Sequence, residues 1–276
     1  MADNLQRKIA VIGGVRIPFC RSNTAYADDS NLDMLSAALQ GLVERYHLAG
    51  EKIDEVIGGA VTVHSKDWNL AREAVLSTQL SPLTPGITVQ QACGTSLQSA
   101  MILGAKIASG QIESGIACGT DTTSDAPIVF GRKFAQRMIK LSQARSFKDR
   151  LKAFKGFSFS ELTPQGPQNS EPRTGMSMGQ HCERMVREWD VSREDQDNLA
   201  YESHQHAYAA WERGEFDDMV VPYSGVSRDN NLRPDTTLEK MNSLRTVFDR
   251  SKKGSLTAAN STPLTDGASS ILLASE

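Results

Sequence analysis

The sequence predicts an α/β fold: a layered αβα domain interrupted by a long, mostly helical insertion. Three observations predict it. From residue 9 to about 121, short apolar runs bounded by turn residues alternate with segments of helical period. From 123 to about 250 the texture changes to helical spacing, clustered basic residues and a Pro/Gly/Ser-rich stretch. Strand-like runs then return at 255–259 and 269–274. Alternating strands and helices bury their apolar sides as stacked layers. The expected division is one α/β domain from 1–122 and 251–276, with 123–250 inserted as a second domain.

Each element has its own reason. IAVI at 9–12 reads as a buried strand, and Leu32–Tyr46 has helical periodicity with Asn31 as its N-cap. EVIGGAVTV at 55–63 is a second strand, and Asn69–Gln79 a second helix. Residues 86–91 form a strand that feeds the helix opening at Cys93, and GIACGTD at 115–121 is a strand ending in polar residues. Residues 160–175 read as a loop. Helices follow at 176–188 and 192–213, the second with Ser192 as N-cap, Asp195 three residues on and a stop at Gly214.

Composition narrows the class. The chain has 276 residues, 23% of them charged, and a net charge of −3, as in soluble globular proteins. No apolar run approaches the roughly 20 residues of a membrane span. MADNLQRK carries no secretory signal, so a cytoplasmic protein is expected. The cysteines, at 20, 93, 118 and 182, form no Cys-x-x-Cys pair, which argues against structural zinc and fits a reducing compartment. Asn260-Ser261-Thr262 is a chance sequon. Gly13-Gly14 and Gly58-Gly59 do not make a dinucleotide fingerprint. His204 and His206 are two apart on a helix and do not share a face, so no metal site is expected.

One stretch carries chemistry: VQQACGTSLQSAMILGAKIASG, 89–110. The helix is apolar nearly all round and wants cover on two sides. Cys93 at its start would meet unpaired N–H groups and the positive end of the helix dipole, which favour a thiolate. The backbone N–H groups of Cys93 and Gly94 could hold a developing oxyanion. Placement alone leaves a buried structural cysteine as the alternative. Cys20, Cys118 and Cys182 read as structural.

QQACGTSLQSA resembles the acyl-accepting cysteine segment of the thiolase family. Further matches run in order: VRIPF (15–19), SMGQHCERM (177–185), SREDQDNLAYESHQHAYAAWERGEFDDMVVP (192–222), TTLEKMNSLRTVFD (236–249) and GSLTAANSTPLTDGASSILLASE (254–276). The basic insertion and NSTPLTDGA resemble the branch that includes the β-subunit of the fatty-acid trifunctional complex. The resemblance implies an acyltransferase with Cys93 as nucleophile, working on 3-oxoacyl-CoA and CoA, with coenzyme A as substrate and no resident cofactor. It implies CoA contacts at Ser177, Met178, Thr262 and Leu264; Arg228 is the residue assigned to a phosphate or adenine. Ser177 stands where many biosynthetic members carry histidine. It also implies a homo-oligomer, dimer or tetramer.

The family's remaining groups are a Gly-His-Pro histidine, an Asn-Glu-Ala-Phe segment and a Cys-x-Gly cysteine. None occurs in this sequence, whose histidines at 47, 64, 181, 204 and 206 never follow a glycine. The expectation is therefore a chain with the first α/β domain and the loop domain, lacking a second α/β domain and inactive alone. A β-ketoacyl synthase-like enzyme and a non-catalytic truncated or assembly subunit are the competing readings.

Residues 132–155 hold nine basic residues against one acid, Asp149. Phe134, Met138, Leu141, Phe147, Leu151 and Phe154 recur at helical spacing among them. A helical hairpin with solvated lysines, a surface for an anionic membrane or a hydratase/dehydrogenase partner, and attraction of CoA phosphates all fit. Nucleic acid does not, since neither a recognised motif nor interleaved aromatics are present.

Overall fold

The computed structural model describes residues 7–276. The chain divides into two compact units: the chain through Asp125 together with Ser170–Glu276, and Ala126–Asn169. The expected inserted domain at 123–250 is therefore not one unit. Its helices from 170 onward belong to the same unit as the α/β layers, and the basic middle segment forms the other unit.

In the first unit the elements are β1 (Ile9–Arg16), β2 (Cys20–Arg21), α1 (Asn31–Arg45), β3 (Glu55–Gly58), α2 (Leu70–Leu76), β4 (Gly86–Thr88), α3 (Thr95–Ala108) and β5 (Ser114–Asp121). The second unit contributes β6 (Val129–Phe130), α4 (Arg132–Gln143), α5 (Phe147–Ala153) and β7 (Pro164–Gln165). The first unit then resumes with α6 (Met178–Glu188), α7 (Arg193–Glu212), α8 (Leu238–Asn242) and β8 (Thr265–Ser275).

The sheet order is β1-β8-β5-β3-β4, with β2 also paired to β8. β3 runs parallel to β4 and β5, as strands joined by helical crossovers must. β8 runs antiparallel to both β1 and β5 and closes the sheet between them. Successive strand residues point to opposite faces. Val56, Ile116 and Leu272 accordingly pack with Leu39, Leu42 and Val75 of α1 and α2, while Ile57, Ala117 and Leu273 pack with Leu103 and Ile107 of α3. The sheet is thus covered by α1 and α2 on one side and by α3 on the other.

Only one stripe of α3 meets the sheet. Leu97 and Met101 are 68% and 62% exposed, and Ala105 continues their line at the same four-residue interval. The double-sided apolar character of this helix is real, and in these residues one side is open.

Two local expectations are corrected. α1 is capped by Ser30, in a capping box with Asp33, and not by Asn31. The buried Asn31 amide instead donates to the Thr62 carbonyl. Residues 255–259 form no strand, because side chains take their N–H groups. Glu183 accepts from Ser255 and Leu256, and Asn260 Oδ1 accepts from Thr257.

The second unit, taken by itself, is a helical hairpin closed by the β6–β7 pair. Arg137 is its hub. It donates to both Glu161 oxygens and to the carbonyls of Ala153, Lys155 and Gly156. Phe134, Phe154, Phe157 and Phe159 pack as neighbouring edge-on or tilted rings. Phe147 and Leu151 are exposed beside the basic side chains.

Candidate active site

The segment after β4 is wound into a tight turn before α3 begins. The Gly94 N–H donates to Gln91 O, and Thr95 Oγ1 ties the turn from inside, accepting from the Gln91 N–H and donating to Ala92 O. Ala92 is held at φ +46, a region that costs a residue with a Cβ about 1–3 kcal/mol. The result lifts Cys93 out of the fold: it is exposed, at the rim of a cavity of about 220 Å3. Phe19, Ser96, Asp121 and Ser269 are among the other lining residues.

The expected start of the helix is shifted. α3 begins at Thr95 with Gly94 as N-cap, so Cys93 precedes the helix instead of opening it. Gly94 cannot serve as an oxyanion donor in this geometry, because its N–H is already bonded to Gln91 O. The Cys93 N–H has no acceptor among the described residues. The close approach behind the turn depends on Gly59, where a Cβ would lie 2.0 Å from the Val89 carbonyl oxygen.

The carboxylate in the cavity is already engaged. Asp121 accepts from the N–H groups of Val61 and Thr62 and from Thr62 Oγ1, at 2.8, 3.2 and 2.9 Å. Cys93 and Asp121 are the titratable side chains lining this cavity. Among the described residues no three His, Cys, Asp or Glu side chains converge as metal ligands would.

The other thiols differ sharply from Cys93. Cys118 is buried in β5 with Sγ against Ile57 O, and burial pushes its thiol up to about 12. Burial also raises Cys20. A thiol raised in this way stays neutral, and hence unreactive, at neutral pH. Iodoacetamide near pH 8 should therefore modify Cys93 well before Cys20 or Cys118. All four cysteines should react once the chain is denatured. Peptide mass spectrometry checks the order, and early modification of Cys118 would contradict it.

A second cavity, of about 290 Å3, is lined by Arg21, Arg233, Lys240, His204, Asn231 and Ser261, among others. An adjoining one, of about 240 Å3, shares His204, Asn231, Ser261 and Pro263 with it and adds Thr262. His204 Nδ1 accepts from the Arg233 N–H, and burial followed by the Arg233 charge lowers its pKa. Three cations, with Asp235 as the acid among the lining residues, give the hollow a net positive lining that suits phosphate groups.

Of the five expected CoA contacts, Thr262 lines the adjoining cavity. Ser177 caps α6 through a capping box with Gln180, and Met178 is exposed beside it. A Cβ at the next residue, Gly179, would lie 2.2 Å from the Phe248 ring, so the start of α6 sits directly on Phe248. Leu264, 69% exposed, stands between Pro263, which lines the basic cavity, and Thr265, which lines the Cys93 cavity. Arg228 is placed elsewhere. It pairs with Glu212 at 2.9 Å, lies over the Trp211 ring and lines neither hollow. Arg21, Arg233, Lys240 and His204 were missed because they come from a strand end, a loop and two helices, with no common motif.

Comparison with known proteins shows the family and the fold. The family profile described as Thiolase, N-terminal domain matches residues 9–276. The 3-ketoacyl-CoA thiolase of Shewanella halifaxensis is 41% identical over 275 residues, covering 98% of this chain and 63% of that protein; the protein of the same name from Shewanella piezotolerans matches equally. The chain thus spans less than two thirds of the length of these relatives. Among solved structures, the Bacillus anthracis acetyl-CoA acetyltransferase superposes with a TM-score of 0.82 at 26% identity, covering 99% of this chain and 67% of that one. The human mitochondrial 3-ketoacyl-CoA thiolase in complex with CoA gives 0.81 at 25%, covering 99% and 66%. With the turn-mounted cysteine and the layered sheet already in view, the match over nearly the whole sequence shows that this chain belongs to the thiolase family.

Proposed function

We propose that this chain supplies the nucleophile and much of the CoA-binding surface of a 3-ketoacyl-CoA thiolase. The observation that carries the reading is Cys93, exposed on a constrained turn at the head of α3 and facing a cavity two residues along the chain from the basic hollow. The Cys93 thiolate attacks the keto carbon of the 3-oxoacyl-CoA. The bond between the α and keto carbons breaks, and the departing enolate takes a proton to leave as acetyl-CoA. The acyl group remains on Sγ as a thioester until the thiol of a second CoA displaces it.

The reaction needs a base for the Cys93 thiol and an acid for the enolate. The cavity offers neither, since Asp121 is held by three donors. We therefore propose that these proton-transfer groups come from a further α/β domain packed on the open side of α3.

The basic hollow is read as the site of the CoA phosphates, with Leu264 and Met178 along the path of the pantetheine. Arg233→Ala should weaken CoA binding about tenfold or more, the scale of a lost hydrogen bond to a charged group. Arg228→Ala should leave affinity unchanged. Isothermal titration with CoA tests both, and an Arg233→Ala chain that binds like wild type would overturn the placement.

A further inference from the structure

Two walls of the basic hollow converge on one buried carboxylate. Asp197, on α7, is 1% exposed. Its Oδ2 accepts from Arg193 Nε at 2.7 Å, and its Oδ1 accepts from Asn260 Nδ2 at 2.8 Å. Asn260 in turn accepts from the Thr257 N–H through Oδ1 and also donates to Ser255 O, which fixes the loop carrying Ala258, Ala259 and Ser261. Arg193 donates through Nη2 to Met241 O, at the end of the short helix that carries Lys240. One side chain thus ties the loop wall through Asn260 and the lysine wall through Arg193.

A second buried carboxylate supports the same loop. Glu183, on α6, is 1% exposed and accepts from the N–H groups of Ser255 and Leu256. It reaches only the base of the loop, whereas Asp197 reaches both walls. A network centred on a buried carboxylate holds one arrangement, and a missing member leaves the others unpaired.

We infer that Asp197 is a positioning residue for phosphate recognition: it sets the separation between Lys240 and the 257–261 loop without touching the ligand. This rests on the reading of the basic hollow as the CoA phosphate site. Asp197→Asn keeps the shape but turns one oxygen into a donor, which faces the donors of Arg193 or Asn260. The exchanged pair Asp197→Asn with Asn260→Asp restores a donor opposite an acceptor between positions 197 and 260, while Ser255 O loses its donor.

The test is CoA titration calorimetry on wild type, Asp197→Asn and the exchanged double variant. Hydrogen exchange at the amides of 241–244 and 257–260 and the rate of Cys93 alkylation are followed in parallel. Asp197→Asn should bind CoA about tenfold more weakly, the scale of a buried donor left unpaired. Its wall amides should exchange faster while Cys93 alkylates as before. The double variant should recover part of the affinity, as coupled neighbours do. If wild type binds CoA and Asp197→Asn binds equally well, or if the walls stay protected, the assignment fails and the phosphate reading survives. If the exchanged pair binds no better than the single variant, Asp197 serves only general stability and the assignment fails. If wild type itself does not bind CoA, the phosphate reading falls and takes the assignment with it.

Discussion

Acetoacetyl-CoA and CoA, mixed with these 276 residues alone, should show no measurable thiolysis. The reason lies in the cavity. Cys93 is accessible, but Asp121, the other titratable side chain lining the cavity, is spent on Val61 and Thr62. The Cys93 thiol therefore has no neighbouring base in the cavity to take its proton. It also lacks a donor for the departing enolate. Groups that act as a unit fail together, with losses on the order of 10⁴ or more when one is removed. The measurement is the loss of ketoacyl-CoA absorbance on adding CoA. Robust cleavage by this chain that disappears in Cys93→Ala would show that the proton-transfer groups lie within it.

Gly59→Ala should be the most damaging of the small substitutions near the site. The new Cβ would sit 2.0 Å from the Val89 carbonyl oxygen and 3.2 Å from Thr95 Cγ2. The first is backbone and cannot swing aside. The Val89 N–H also bonds to Gly58 O, so β3 and the start of the Cys93 turn cannot separate without losing pairing. Overpacking of this kind costs about 1–3 kcal/mol. The expected results are a lower denaturation midpoint and a changed rate of Cys93 alkylation, read by urea titration and by mass spectrometry. A variant with wild-type stability and wild-type alkylation would mean that the turn yields easily.

Much of this was legible in the sequence, and the misses share a cause. α7, with Ser192 as its cap and its end before Gly214, follows from local signals, as do α2 after Asn69 and the apolar run in β5. Cys93 was visible because its surroundings are contiguous in the chain. The offset of α3 was not, since Thr95 bonds back to Gln91 and Ala92 through a side chain and leaves no periodic trace. Residues 255–259 looked like a strand because local propensity says nothing of Glu183, more than seventy residues away. The same limit hid Arg21, Arg233 and Lys240, which are gathered only by tertiary packing. Arg228 read as free for a ligand because neither Glu212 nor Trp211 is its neighbour in sequence.

The place of β8 sets a timetable for the molecule's birth. β1 begins at Ile9, and its sheet neighbour is β8, which ends at Ser275. At a synthesis rate of roughly 5–20 residues per second, β1 waits on the order of ten seconds or more for that neighbour to be made. The parallel strands β3, β4 and β5, with their crossover helices, can associate during that interval. β1 meanwhile presents Val11 and an unpaired backbone edge to everything else in the translating cell. A polysome carrying this message therefore holds many copies of the same orphan strand close together. The strand that pairs with it is made only after most of the other elements described here.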